Sequence, residues 1–278
     1  MRTDGSTYTT PDELISMLDA MEIDRAVLLP IVAPEGNHHV TTSEEILEIA
    51  QAHPARFIPF CNIDPRQIGN SGDTDFRGHL EYFKAAGCKG LGEITANIPF
   101  CDPRVMRLFE QCEEVGMPVL FHIAPFAGGC YGLIDELGLP GLQEALGRFP
   151  SLTFIGHSQP FWSEISADVT PQNRNTYPSG PVIPGRVPEL LRGYPNLYGD
   201  LSAGSGFNAI SRDPEFGLGF LDEFQDRLLF GTDICATHNR PQQPEFFRRI
   251  AAEGSITDEA LQKICWKNAG RILGLALG

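Results

Sequence analysis

Four short apolar runs in this chain each stop at a residue able to bind a metal or carry a proton. They are Lys89-Gly-Leu-Gly-Glu93, Val119-Leu-Phe-His122, Leu152-Thr-Phe-Ile-Gly-His157 and Arg227-Leu-Leu-Phe-Gly-Thr-Asp233. A brief apolar run without alternation suits a strand covered on both faces, as in a parallel sheet. Open α/β sheets and barrels place their ligands at the carboxyl ends of such strands. Glu93, His122, His157 and Asp233 are therefore expected at one mouth. Hydrolytic metal centres take two or three His or carboxylate ligands and leave a position open for water. The ion then lowers the pKa of that water towards ~7.

Strand and helix signals alternate along the rest of the chain. Seven strands are predicted, over Ala26–Pro30, Phe57–Ile63, Lys89–Ile94, Pro118–Ile123, Leu152–His157, Asn196–Leu201 and Arg227–Asp233. Thr10, Pro11 and Glu13 open the first helix, Thr42 with Glu45 makes a capping box for the second, and Asp102 caps a third. Repeated βα units over this length, without a break in composition, predict a single domain over residues 1–278. Its expected architecture is a TIM-like (β/α)8 barrel whose first strand is missing or replaced. Ser158 to Gly185 reads as an irregular insert, stiffened by its prolines and expected to fold over the mouth.

A net charge of −15 argues against nucleic acid and anionic membranes as partners. The seven cysteines are scattered without CxxC spacing, and neither a signal peptide nor a long apolar run is present. A cytoplasmic protein is the expectation.

The segments Asp24-Arg-Ala-Val-Leu-Leu-Pro30, Arg56-Phe-Ile-Pro-Phe60, Gly90-Leu-Gly-Glu93, Phe121-His-Ile123, Ile155-Gly-His-Ser158 and Leu229-Phe-Gly-Thr-Asp233 together resemble the amidohydrolase-related branch of the amidohydrolase superfamily. That branch holds metal-dependent hydrolases and decarboxylases similar to aminocarboxymuconate-semialdehyde decarboxylase. The resemblance implies a divalent metal, zinc first, at the strand ends. It implies that His122 is the fifth-strand ligand and that His157 is the sixth-strand ligand or catalytic base. Asp233 would be the eighth-strand aspartate that binds metal and takes a proton from water. The family's first strand ends in His-x-His, and no such pair stands near the start of this sequence. Partial metal occupancy is the expected result.

The expected activity is hydrolysis of a small molecule through metal-activated water, with non-oxidative decarboxylation as the alternative. A metal-free phosphate-binding barrel, using Gly204-Ser-Gly206, and a catalytically impaired binding protein are rival readings. Asp200, Trp162 and Arg174 are candidates for contacting substrate, with a carboxylate as one candidate ligand for an arginine. Arg186, Arg212 and Arg240 are weaker candidates of the same kind. His38 and His39 are candidate replacements for the absent pair, whereas His53 and His79 read as structural. Seven parallel strands would leave an open edge on the strand at Ala26 and another on the strand at Arg227. The segment Arg2–Thr9 or a neighbouring chain is expected to lie there, with self-association into a homo-oligomer.

Overall fold

The computed structural model describes residues 9–36 and 40–275. Its strands are β1 (Ala26–Leu28), β2 (Phe57–Pro59), β3 (Leu91–Ile94), β4 (Val119–Ala124), β5 (Leu133–Ile134), β6 (Phe154–His157), β7 (Leu197–Asp200) and β8 (Leu228–Leu229). Every pairing between them is parallel, with β1 beside β2 and a second group in the order β3-β4-β6-β7-β8. A parallel bridge between Cys61 and Leu91 joins the two groups into one succession. All seven expected strands are present; β4 keeps its expected six residues, and the others are shorter than the runs that announced them. Only β5 was not expected; it is a two-residue strand paired with the end of β4.

Local chemistry explains where the helices start. Thr10 with Glu13 and Thr42 with Glu45 form complete capping boxes, and the Asp102 carboxylate accepts the Arg104 N–H. Each cap stabilises its helix by roughly 1 kcal/mol. The helices lie one after another around the sheet, so each strand is apolar on both faces. Phe121, Phe154, Leu197 and Leu228 point outward into the main core beneath the helices. Their neighbours Leu120, Ile155, Tyr198 and Leu229 point inward and pack with Phe60. The next inward position on β4, β6 and β7 belongs to His122, His157 and Asp200, and Glu93 joins their layer from β3, where the register shifts between Leu91 and Ile94. A floor of apolar side chains thus carries a polar layer above it, a direct product of the two-residue period of a strand.

The open edge of the sheet is handled differently from the expectation. Residues 1–8 lie outside the described residues, so the proposed role of Arg2–Thr9 does too. The edge of β8 is occupied by the segment that follows it. The Phe230 N–H donates to the Ile264 carbonyl (2.9 Å), and Asn268 Nδ2 donates to the Leu228 carbonyl (2.9 Å). Ile264 and Asn268 belong to a π-helical turn, Lys263–Lys267, and the short helix Asn268–Ile272. Leu273 then joins the inward cluster, with Ala269, Ile272, Leu275, Val27 and Leu29 packed against it. A helix can satisfy a strand edge in this way because it brings both backbone and amide partners.

The insert after β6 begins with a short helix, Gln159–Ser163, whose Phe161 ring lies flat against the outer side of β6 at Gly156. A Cβ at position 156 would stand 2.4 Å from Phe161 Cζ, so only glycine lets the ring approach. Near residues 177–178 the insert meets the helix Ala203–Ser211. Asn208 Nδ2 donates to the Pro178 carbonyl (3.1 Å), and the Tyr177 ring lies over Gly204. Among the described residues, no helix is long and apolar enough to cross a membrane. Gly156→Ala is expected to overpack this contact and lower stability by about 1–3 kcal/mol. Urea unfolding would measure it, and an unchanged midpoint would refute the close packing.

Candidate metal centre and its surroundings

His122 and His157 are register partners on β4 and β6, which sets their rings side by side with centroids 5.5 Å apart. Glu93 reaches the same place from β3. Its Oε1 lies 2.6 Å from His122 Nδ1 and 3.9 Å from His157 Nε2. One ligand atom from each of these three residues lies within 4.8 Å of the others. Among the described residues this is the one such group of His, Cys, Asp or Glu.

Each ionisable group is set by its neighbours. Burial opposes charge on Glu93, but the hydrogen bond from His122 and the positive charge of His157 outweigh it and hold the carboxyl below its ordinary range. Burial also lowers the proton affinity of His122, and its Nδ1–H donates a hydrogen bond to the Glu93 carboxylate. His157 behaves oppositely. Burial works against its charge, yet the hydrogen bond to Asp200 and the charges of Glu93, Asp200 and Asp233 raise its pKa to about 10.

The orientation of His157 comes from its outer nitrogen. Nδ1 donates to Asp200 Oδ2 (3.0 Å), and Ser202 Oγ donates to the same oxygen (2.6 Å). A carboxylate on Nδ1 directs Nε2 towards Glu93, the arrangement commonly found behind metal-binding or proton-transferring histidines. Gly231 makes room for it, since a Cβ there would stand 2.6 Å from Asp200 Oδ1. That is why the run ending in Asp233 breaks at glycine. Ser158, at φ 113, turns the chain directly after His157; its hydroxyl accepts the Ile123 and Phe161 N–H groups (3.2 Å each).

Asp233 stands at the rim at φ 58, open to solvent through the mouth and outside the close set of three. Crowding by protein raises its carboxyl to about 6, helped by Glu93 and Asp200 and opposed by His157. Tyr131, from the glycine-rich loop after β4, covers His122 with ring centroids 4.3 Å apart. Burial and the nearby carboxylates of Glu93 and Asp233 push its phenol pKa upward, so it remains a hydrogen-bond donor. Sequence reading singled out neither Tyr131 nor Ser202. For Ser202 the signal was available, two residues beyond a strand-ending aspartate.

Several candidates are placed elsewhere. Trp162 does not wall the mouth; it is buried in the outer core and its Nε1 donates to the Asp200 carbonyl (2.8 Å). Arg174 has its guanidinium committed to protein partners. It donates to the Asp135 and Glu136 carbonyls (2.6 and 3.0 Å) and pairs with Glu164 at 3.2 Å, both side chains 3% exposed. Gly204-Ser-Gly206 is taken into the first turn of the helix Ala203–Ser211 and forms no loop. Arg186 binds the Gly138 carbonyl, and Arg240 binds those of Thr237 and Asn239. Arg212 is half-buried at the far end of the helix that Ala203 begins. His53 closes a helix and packs edge-on against Phe57, and His79 lies within the helix Arg77–Ala86. His38 and His39 lie outside the described residues.

The donor set fits a divalent cation. Two imidazoles and a carboxylate suit zinc, manganese and similar ions, and a bound ion would take the place of protons that His122 and His157 now hold towards Glu93.

The family model described as Amidohydrolase matches residues 23–275. Curated proteins supplied no sequence match. Solved structures with a similar fold include an uncharacterized TIM-barrel protein from Bordetella bronchiseptica, at TM-score 0.65 and 19% identity over 94% of this chain and 81% of that one. Another is a dihydroxybenzoic acid decarboxylase from Polaromonas, with bound manganese and the inhibitor 2-nitroresorcinol. It gives TM-score 0.57 and 18% identity over 96% of this chain and 86% of that one. A probable 2-pyrone-4,6-dicarboxylic acid hydrolase from Acinetobacter baumannii, with citric acid bound, gives 0.57 and 14% over 99% and 96%.

Removing Arg174 tests its placement. Arg174→Ala would leave Glu164 buried without its cation, an expected loss of about 3–5 kcal/mol in stability with metal content unchanged. Denaturant unfolding together with elemental analysis would check this. Full stability with weakened substrate binding would instead return Arg174 to the mouth.

Proposed function

The chain belongs to the amidohydrolase family, and from that premise we propose a metal-dependent hydrolase acting on a small molecule at the Glu93–His122–His157 site. The observation that carries this reading is the convergence of those three residues beside Asp233, a carboxylate open to solvent. When bound, a divalent cation supplies Lewis acidity and lowers the proton affinity of water. Glu93, His122 and His157 are the residues that would hold it.

The remaining work falls to the side chains. Asp233, with a carboxyl at about 6, is suited to take a proton from the attacking water near neutral pH and return it to the leaving group. The water's oxygen then joins the acyl carbon as the C–N or C–O bond breaks. Asp200 and Ser202 keep His157 in one orientation throughout. Tyr131 walls the site and offers its phenol proton to a substrate oxygen. Glu93, Asp200 and Asp233 make the mouth electronegative, so an anionic substrate would need the bound cation to offset them.

Decarboxylation is the second reading, and the manganese-bound dihydroxybenzoic acid decarboxylase with this fold favours it. Here a substrate carboxylate leaves as carbon dioxide, and a proton from the site replaces it on carbon. Small carboxylic acids are candidate substrates under both readings, and zinc or manganese is the candidate ion.

His122→Ala is expected to lose bound metal after dialysis and to lower turnover at least 100-fold, as measured by elemental analysis and assay. Retention of metal would refute the site. The two reactions are separated with metal-loaded protein and a panel of aromatic acids and lactones. Acid release without carbon dioxide supports hydrolysis, whereas carbon dioxide release supports decarboxylation and overturns the first reading.

A further inference from the structure

Asn62 stands two residues beyond Phe60, where β2 continues to its bridge at Cys61. Phe60 packs in the inward cluster and Cys61 in the outward core, so the alternation turns Asn62 inward. It therefore shares the layer of Glu93, His122, His157 and Asp200. The residue is 5% exposed and tightly held. Its N–H donates to Ser43 Oγ (2.9 Å), which in turn donates to the Asn62 carbonyl (3.2 Å).

The amide can face only one way. Asn62 Nδ2 donates to the Pro30 carbonyl (2.9 Å) and to the carbonyl of Glu93 itself (2.6 Å). Both partners are acceptors, so the nitrogen must face them and a flipped amide would set oxygen against oxygen. Oδ1 is thereby fixed, fully buried and without a hydrogen-bond partner. Buried polar atoms are seldom left so, because desolvation without a partner is costly. The centre formed by Glu93, His122 and His157 offers three protein ligands, and His157 contributes through Nε2 because its Nδ1 is committed to Asp200.

We propose that Asn62 Oδ1 is a further oxygen donor to the divalent cation held by Glu93, His122 and His157. The inference rests on the metal-site reading above and adds a ligand to it. An amide oxygen is a neutral, hard donor of the kind that complements carboxylate and imidazole around zinc or manganese. Its hydrogen bond to the Glu93 carbonyl fixes the amide against the backbone that carries the Glu93 side chain. Thr95 Oγ1 is likewise buried without a partner, but it faces Gly36 in the loop after β1 and serves as a control.

The test is zinc affinity of the full chain, read by competition with a chromophoric chelator, with thermal unfolding as the check on folding. Asn62→Ala is expected to weaken zinc binding at least tenfold. Asn62→Asp, which keeps an oxygen but loses the amide hydrogens, is expected to bind at least as tightly as the parent. Thr95→Val should leave affinity unchanged. Parent-like affinity in Asn62→Ala would overturn the proposal, as would equal weakening in Asn62→Asp, which would make Asn62 a positioning residue for Glu93. A trapped water as the true partner of Oδ1 would give the first of those results. Should Asn62→Ala fail to fold, Asn62→Asp and Asn62→Ser decide the matter by the same comparison. Folded parent protein that binds no zinc would refute the metal site itself, and the added ligand with it.

Discussion

Carboxylates gathered at one end of a buried sheet repel one another, and the structure depends on how that repulsion is answered. Glu93 and Asp200 are buried, and Asp233 stands at the rim above them. Two kinds of positive charge can answer them: a proton on His157 or a divalent cation. The protein without metal uses the proton, which is why His157 holds it up to about 10 despite burial. A cation arriving at His157 Nε2 would have to displace that proton. Charge balance, ligand geometry and proton inventory are therefore one problem, and the histidine is where they meet.

The apolar floor makes this arrangement affordable. Leu120, Ile155, Tyr198 and Leu229 fill the inward positions just below the polar layer and exclude water from beneath it. Outside the sheet, Phe161 against Gly156 and Trp162 bound to the Asp200 carbonyl brace the strands that present His157 and Asp200. Trp162, a sequence candidate for touching substrate, lies behind the strands instead. Arg174 belongs to the same support, fastening the insert to the chain around Asp135 and Glu164.

Much of this was legible in the sequence, and the division has a physical origin. Strand ends are announced locally: an apolar run, a break, one polar residue. Glu93, His122, His157 and Asp233 were all found that way, as were the helix caps at Thr10, Thr42 and Asp102. Side-chain destinations are decided by residues far along the chain, which no local pattern carries. Nothing in the neighbourhood of Trp162 says that its indole meets residue 200, and nothing near Arg174 says that Glu164 lies within reach. The same limit hid Tyr131, whose glycine-rich loop has no period from which to read a direction. Asn62 is a lone amide in an apolar run, and its meaning depends on the Pro30 and Glu93 carbonyls, contributed by distant parts of the chain.

The segment that closes the edge of β8 also has a mechanical meaning. Its two bonds grip the Leu228 carbonyl and the Phe230 N–H, just before Gly231 gives way to the bend that presents Asp233. The π-helical turn and the helix after it are thus joined to the rim carboxylate through a few bonds of backbone. Those helices therefore fix the backbone only three residues before Asp233. What stops the sheet from growing also anchors the start of the bend at which the rim carboxylate stands.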